Sequence, residues 1–314
     1  MKKFFLRSFE REQGLDEAAR DLRAGQNRDD VLERAVRTLE LDPSDDSLGF
    51  GGYPNLFGDM ELDASFMDGD SRNCGAVIGM TNFLPIRVAR RLMAQQVHTV
   101  LSGQGAELFA RESGLQTEPT LSAHQREKWQ REIKPLLDAR GSKPLMEIVG
   151  QLPPPQNRNL DTTVMIASDG AGLSGAASTS GWPYKHPGRV GDTPIIGAGL
   201  YVDSLYGGCC CTHTGEMAIR TGAARHVVAK MAQGKSPGEA VQAAIEDVSR
   251  LRSGILRTFV IHAVDTDGNA HVAAFNASAP IYYQYWNEDL ARPERREAAM
   301  IELPSPALSA PASS

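Results

Sequence analysis

The chain has little cysteine and no excess of positive charge, and each shortage removes a class of function. Its 314 residues hold four cysteines, three of them consecutive at Cys209, Cys210 and Cys211, with Cys74 far away. Neighbouring strand residues point to opposite faces, so the triplet cannot close a tetrahedral metal site by itself. Cysteines so spaced are no disulfide framework either. They read as small apolar residues of a buried strand. The 33 Lys and Arg stand against 39 Asp and Glu, a formal net charge of −6, which leaves no basic footprint for nucleic acid. No apolar run approaches the ~20 residues that cross a bilayer. Met1-Lys2-Lys3 starts like an export signal, but its apolar part, Phe4-Phe5-Leu6, stops after three residues. The expected location is the cytoplasm, or the periplasm or lysosome if a leader has been removed.

What is present is ordinary globular material, 41% hydrophobic and 23% charged, in a chain long enough to bury a substantial core. Apolar residues recur at helical spacing over 15–41, with a break at Gly25-Gln26-Asn27. Strands are predicted over 61–67 and 74–80, and helices over 85–96, 105–111 and 122–137. Between Gly141 and Leu160 the composition shifts to proline and polar residues, which predicts a mobile connector. The second half is richer in strands, at 162–168, 173–179, 207–212, 258–264 and 271–275. Helices are predicted over 216–233 and 237–251, the latter capped by Ser236. The tail from Arg292 reads as disordered. Strands come in hairpin-like pairs with helices gathered between them, which favours α+β over an alternating parallel fold.

Several segments carry candidate chemistry. Gly170-Ala171-Gly172-Leu173-Ser174-Gly175 matches a dinucleotide fingerprint, but Gly181, Pro183, Pro187 and Gly188 forbid the helix that must follow it. Asp169-Gly170-Ala171-Gly172 reads instead as a hairpin turn. Arg189 and Asp192 are either a local ion pair or a clamp, with the guanidinium on a carboxylate and the carboxylate on an ammonium. Thr212, before Gly215 and Glu216, is either a helix cap or an oxyanion donor. His213 beside it would serve through its backbone N–H, because no Ser or Cys stands at an elbow such as Gly-x-Ser-x-Gly.

In order and spacing, these segments resemble the glycosylasparaginase and plant-type asparaginase family of N-terminal nucleophile hydrolases. The matching residues are Gly49-Phe50-Gly51-Gly52, Asp161-Thr162, Ser178-Thr179-Ser180-Gly181, Gly188 to Pro194 with Ile196 to Gly199, and Thr212 to Glu216. His213 stands where the family carries a glycine, and Arg7-Ser8-Phe9 lacks the tryptophan expected there. The resemblance implies a four-layer αββα fold in one composite domain. It implies self-cleavage between Asp161 and Thr162, giving subunits 1–161 and 162–314. The freed Thr162 would supply a hydroxyl nucleophile and, in its α-amine, the base, with no cofactor or metal. By the same resemblance Thr179 hydrogen-bonds the nucleophile, Arg189 and Asp192 hold the two charges of an α-amino acid, and Thr212 with the His213 N–H forms the oxyanion hole. The implied substrate is a small β-aspartyl amide, foremost N4-(β-N-acetylglucosaminyl)-L-asparagine, with an isoaspartyl dipeptide or asparagine as the alternative. A further alternative is an unprocessed homologue that only binds such ligands. A dimer of cleaved protomers is implied as well.

Overall fold

The computed structural model describes residues 1–8, 11–152 and 162–301. The first half of the chain runs β1 (Lys3–Ser8), α1 (Leu15–Arg23), α2 (Arg28–Glu40), β2 (Leu62–Asp68), β3 (Cys74–Met80), α3 (Pro85–Gln95), β4 (Val100–Ser102) and α4 (Gly103–Glu112). Helices α5 (Ala123–Glu132), α6 (Lys134–Asp138) and α7 (Leu145–Gln151) close it. The second half opens with β5 (Thr163–Asp169), β6 (Leu173–Thr179), β7 (Leu200–Asp203) and β8 (Gly207–His213). After α8 (Gly215–Thr221), α9 (Ala223–Met231) and α10 (Pro237–Val248) come β9 (Phe259–Val264), β10 (Ala270–Phe275), β11 (Tyr282–Asn287), β12 (Glu294–Glu297) and β13 (Ala299–Ile301).

These strands form two sheets, which makes the fold α+β. One has the order β12-β11-β1-β5-β6-β2-β3-β4 and the other β13-β10-β9-β8-β7. Pairing is antiparallel except for β3 with β4 and β10 with β13. The apolar start that imitates an export signal is the strand β1, paired with β11 on one side and β5 on the other. Phe4 and Leu6 face the second sheet and Phe5 faces the helices, so both sides of β1 are apolar.

Three apolar clusters follow from that pleat. Leu6, Val164 and Ile166 meet Cys210, Val260 and Val264 between the sheets. Phe5, Phe66 and Met165 pack on Leu22, Val36 and Leu92 of α1, α2 and α3. Cys209, Cys211 and Ile261 pack on Val227, Val228 and Ile245 of α9 and α10. The cysteine triplet thus alternates as the strand period requires, 209 and 211 to the helices and 210 to the other sheet. Burial pushes all three thiols up, so they stay neutral. The sheets approach closely at Gly175, where a Cβ would stand 2.6 Å from Leu200 Cδ1.

Most predicted elements form, and the departures have local causes. The stretch 122–137 divides at Ile133, and 216–233 divides at Gly222, whose φ of +59° ends α8. Ser236 caps α10 in a full capping box with Glu239. Asp169 accepts from the N–H groups of Ala171 and Gly172, so the glycine-rich segment is a β5–β6 hairpin turn. The expected mobile connector contains a helix, α7, through which Ile148 packs with Leu56, Ile133 and Tyr184. The rest of it, 153–161, lies outside the described residues. The expected disorder from Arg292 is also corrected for the residues up to Ile301, while 302–314 lie outside the described residues. Glu294–Glu297 extends β11, and Ala299–Ile301 extends β10.

Arg28, at the start of α2, fastens two hairpins. Its guanidinium reaches Asp68 at 2.8 Å, Asp70 at 2.6 Å and Asp169 at 3.2 Å, and Nε donates to Ser174 Oγ at 2.9 Å. Removing it leaves the half-buried carboxylates of Asp68 and Asp169 unpaired. Arg28→Ala is expected to destabilise the fold by about 2–4 kcal/mol. A chemical-denaturation midpoint equal to wild type would show that this arginine is dispensable.

Candidate active site

The site is built where β5 begins. Ser8, at the end of β1, donates from Oγ to the Thr162 carbonyl at 3.0 Å and accepts from Val164 N–H at 3.0 Å. One hydroxyl therefore spans the main chain on both sides of Thr163. Thr162 is buried, and its Oγ1 lies 3.2 Å from Thr179 Oγ1 and 3.5 Å from Thr193 Oγ1. Thr179 sits next to it because β5 and β6 pair with Thr163 opposite Ser178, one step inside. Gly181 N–H donates to Thr179 Oγ1 at 3.0 Å, and Ser65 Oγ donates to the Thr193 carbonyl at 2.6 Å. Each neighbour of the Thr162 hydroxyl is thus itself held by a second group.

Behind these hydroxyls lie buried ionisable groups. Asp63 stands opposite Thr179 on β2, at a bulge, and accepts from Gly79 N–H at 2.9 Å. Burial pushes its carboxyl up, against the pull of Lys185 and Arg189. Lys185 donates to the Glu61 carbonyl at 2.8 Å, and burial lowers its ammonium. Glu40, fully buried at the end of α2, accepts from Ser178 Oγ at 2.6 Å and from Ile86 N–H at 3.0 Å. Burial pushes Glu40 up to about 8.

The loop from Gly181 to Asp192 brings the charged pair to the site. Arg189 and Asp192 do not bridge each other. Arg189 makes a bidentate pair with Glu216, Nε to Oε1 at 3.0 Å and Nη2 to Oε2 at 2.9 Å, and lies 4.5 Å above the Trp182 ring. Its Nη1, unused in that pair, lies between two glycines. A Cβ would stand 3.0 Å from it at Gly191 and 3.4 Å at Gly181. Asp192 is buried against the first residue of α8, where a Cβ on Gly215 would come within 2.5 Å of Oδ1. Its Oδ2 has no partner among the described residues, and burial pushes the carboxyl up to about 7 despite Arg189. An unpartnered buried carboxylate beside an arginine that keeps one donor in reserve suits a zwitterion.

At the end of β8, Thr212 is buried and its Oγ1 lies 3.1 Å from His213 Nδ1. His213 has φ +77°, a left-handed backbone that disfavours side chains other than glycine. Thr214 then anchors the turn through its N–H at 3.2 Å and its hydroxyl at 2.7 Å, both donating to the Thr258 carbonyl. Trp182 Nε1 donates to the His213 carbonyl at 3.4 Å, which ties this corner to the Arg189 loop.

The residues singled out from sequence therefore divide clearly. Thr162 and Thr179 touch; Arg189 and Asp192 share a loop with the pair-forming Trp182; Thr212 and His213 touch each other. Asp161 lies outside the described residues. Ser8, Thr193, Trp182 and the pairing role of Glu216 were missed. Trp182 follows the quoted Ser178 to Gly181 and Thr193 lies within the quoted Gly188 to Pro194, so proximity in sequence was a usable signal. For Ser8, 154 residues from Thr162, there was none. A 650 Å³ cavity lined by Glu12, Asp16, Gln284, Arg292 and Glu294 includes none of these residues.

A hydroxyl held among hydroxyls, beside a loop that presents a cation and an anion, is the equipment of an amide hydrolase, and comparison with known proteins agrees. The family model described as Asparaginase matches residues 8–292. The N(4)-(Beta-N-acetylglucosaminyl)-L-asparaginase of Elizabethkingia miricola is 41% identical over 224 residues, which are 71% of this chain and 62% of that protein. The chain thus spans less than two thirds of that relative's length. The Plant-type L-asparaginase of Pyrococcus furiosus is 33% identical over 270 residues, 84% of this chain and 85% of that one. The Isoaspartyl peptidase/L-asparaginase of Mus musculus is 34% identical over 239 residues, 74% of this chain and 69% of that one. The chain belongs to the asparaginase family, a family of amidohydrolases. No helix among the described residues is long and apolar enough to cross a membrane.

Glu40 supplies a stability test. Its carboxyl is held at about 8 in the fold against 4.5 as the ordinary value. Between those values the folded state keeps a proton that the unfolded chain has lost, so stability falls as pH rises through the window. Glu40→Gln mimics the protonated acid and removes the loss. Its melting temperature relative to wild type should be higher at pH 8 than at pH 5. An equal difference at both pH values would count against a buried, protonated Glu40.

Proposed function

We propose that this chain is a self-processing hydrolase of β-aspartyl amide bonds in which Thr162, freed by cleavage after Asp161, is the nucleophile. The observation that carries this reading is the burial of Thr162 Oγ1 within 3.2 Å of Thr179 and 3.5 Å of Thr193, at the head of a strand. On this reading residues 1–161 and 162–314 become two subunits of one composite domain, layered αββα, and two cleaved protomers pair. The three clusters support the layering, since one joins the sheets and two join a sheet to helices.

The chemistry follows from the groups present. Arg189 holds the substrate's α-carboxylate and Asp192 its α-ammonium, which leaves the side-chain amide as the bond presented to Thr162. The Thr162 α-amine accepts the hydroxyl proton as Oγ attacks the amide carbon. The oxygen that becomes negative is met by the Thr212 hydroxyl and the His213 N–H. The amine departs with a proton, and water then hydrolyses the aspartyl ester on Thr162. A neutral Asp192 holds an ammonium poorly. Its raised value means that binding gains as pH climbs through about 7, until the substrate's own ammonium is lost.

The leaving group proposed first is the sugar amine of N4-(β-N-acetylglucosaminyl)-L-asparagine, in line with the relative of highest identity described above. An isoaspartyl peptide or asparagine is the second reading, favoured by the longer coverage of the archaeal relative.

Intact-mass measurement of purified protein should give two fragments, the second starting at Thr162, and Thr162→Ala should remain a single chain without activity. A full-length chain in fresh, active wild type would sink the mechanism. Arg189→Ala should lower kcat/KM by about 10²-fold or more on the best of the three substrates, as loss of a charge-assisted contact implies. An unchanged kcat/KM would remove Arg189 from the clamp.

A further inference from the structure

Trp182 stands where the parts of the site meet. Gly181 just before it has φ +77° and donates its N–H to Thr179 Oγ1 at 3.0 Å, beside the Thr162 hydroxyl. The indole ring lies 4.5 Å from the Arg189 guanidinium, and its N–H donates to the His213 carbonyl at 3.4 Å. Pro183 follows and narrows the backbone of Trp182 itself. The Lys185 N–H then closes the turn on the Trp182 carbonyl at 3.2 Å. Backbone and ring are therefore both held.

Both charges of the clamp are anchored on the same corner of the chain. Glu216 binds Arg189 from the first turn of α8, at 3.0 and 2.9 Å. Asp192 is buried against Gly215, where a Cβ would stand 2.5 Å from its Oδ1 and 2.8 Å from its backbone nitrogen. Trp182 adds a second tie from Arg189 to that corner, through the His213 carbonyl. The oxyanion donors, Thr212 and the His213 N–H, belong to it as well, and Thr214 fastens it to the Thr258 carbonyl at 2.7 Å. The span from the α-carboxylate to the reacting carbonyl is thus measured on one short piece of chain.

We propose that Trp182 is a positioning residue that sets the length of the acyl group, admitting a β-aspartyl amide and rejecting a γ-glutamyl one. An aspartyl group has one methylene between its α-carbon and the reacting carbonyl, and a glutamyl group has two. If the clamp cannot yield, the longer group loses its carboxylate from Arg189 or its carbonyl from the oxyanion corner. A planar bidentate pair with Glu216 still lets the guanidinium tilt out of its plane, and the indole face blocks that tilt. Trp182 acts through Arg189 and His213 rather than on the reacting atoms. The inference rests on the reading of Arg189 as the carboxylate clamp and of Thr212 with the His213 N–H as the oxyanion donors.

The 4-nitroanilides of L-aspartate at its β-carboxyl and of L-glutamate at its γ-carboxyl share a leaving group and differ by one methylene. The ratio of their kcat/KM values therefore reads the spacing. Wild type should favour the aspartyl compound by ~10–10²-fold, the scale of one misplaced methylene. Trp182→Leu removes the ring face and the N–H together and should lower that ratio about tenfold. Trp182→Phe keeps a ring face without the N–H and should fall between the two. A purely structural role would lower kcat/KM on both anilides alike and leave the ratio unmoved. In wild type, the Trp182 ring N–H should exchange with solvent more slowly with L-aspartate bound than in the free protein. That readout does not depend on any variant folding or maturing.

A ratio equal to wild type in both Trp182 variants would overturn the proposal. So would a wild type that cleaves the two anilides equally well, or a ring N–H whose exchange L-aspartate leaves unchanged. Those results, obtained on a chain that is cleaved at Thr162 and loses activity in Arg189→Ala, leave the nucleophile and the clamp standing. An uncleaved active chain, or an Arg189→Ala variant of full activity, instead removes the reading on which the inference rests.

Discussion

A single serine hydroxyl decides where the central strand of the site begins. Ser8 Oγ donates to the Thr162 carbonyl and accepts the Val164 N–H, so the register of β5 against β1 is closed at its last step by a side chain. A slip of one residue would turn every side chain of β5 to the other face. Val164 and Ile166 would leave the space between the sheets, and the Thr162 hydroxyl would leave Thr179. The apolar cluster between the sheets and the hydroxyl cluster at the strand head thus depend on one register. The pairing of β5 with β6 and of β6 with β2 then carries it across to Thr179 and Asp63.

Burial gives that small group of polar side chains its chemical character. Asp192, Asp63 and Glu40 are all raised by desolvation, and Lys185 and His262 are lowered by it. These are the expected signs when charge is withdrawn from water. The groups close to the hydroxyls are therefore poised toward neutrality. The full charge at the mouth is concentrated in Arg189, which keeps its ion partner Glu216 and its stacking surface Trp182. Glycine makes this close approach feasible. Gly181, Gly191 and Gly215 each occupy a place where a Cβ would meet a polar atom of Arg189 or Asp192.

Much of the fold was legible because periodicity is a local property. The broken helix over 15–41, the hairpin at Asp169 and the Ser236 cap formed as read, since each rests on residues within a few positions of one another. What was not read, and what was misread near the end, fell where a long-range partner overrode a local signal. Phe4-Phe5-Leu6 became a central strand because β5 and β11 cover both its edges. Glu294–Glu297 and Ala299–Ile301 became strands because β11 and β10 each offered an edge.

At the site, the sequence by itself determined which chemistry is available. It placed Thr162, Thr179, Arg189, Asp192, Thr212 and His213 in an order and spacing that belong to one family, and the alternating burial of Cys209, Cys210 and Cys211 followed from the strand period alone. Only the tertiary structure decided the partners. It gave Arg189 to Glu216 rather than to Asp192, left Asp192 Oδ2 unpaired, joined Ser8 to Thr162 across 154 residues, and bent His213 into a left-handed backbone against Thr212. A hydrogen bond depends on distance and direction in space, and sheet pairing sets both between residues whose separation along the chain carries no trace of it.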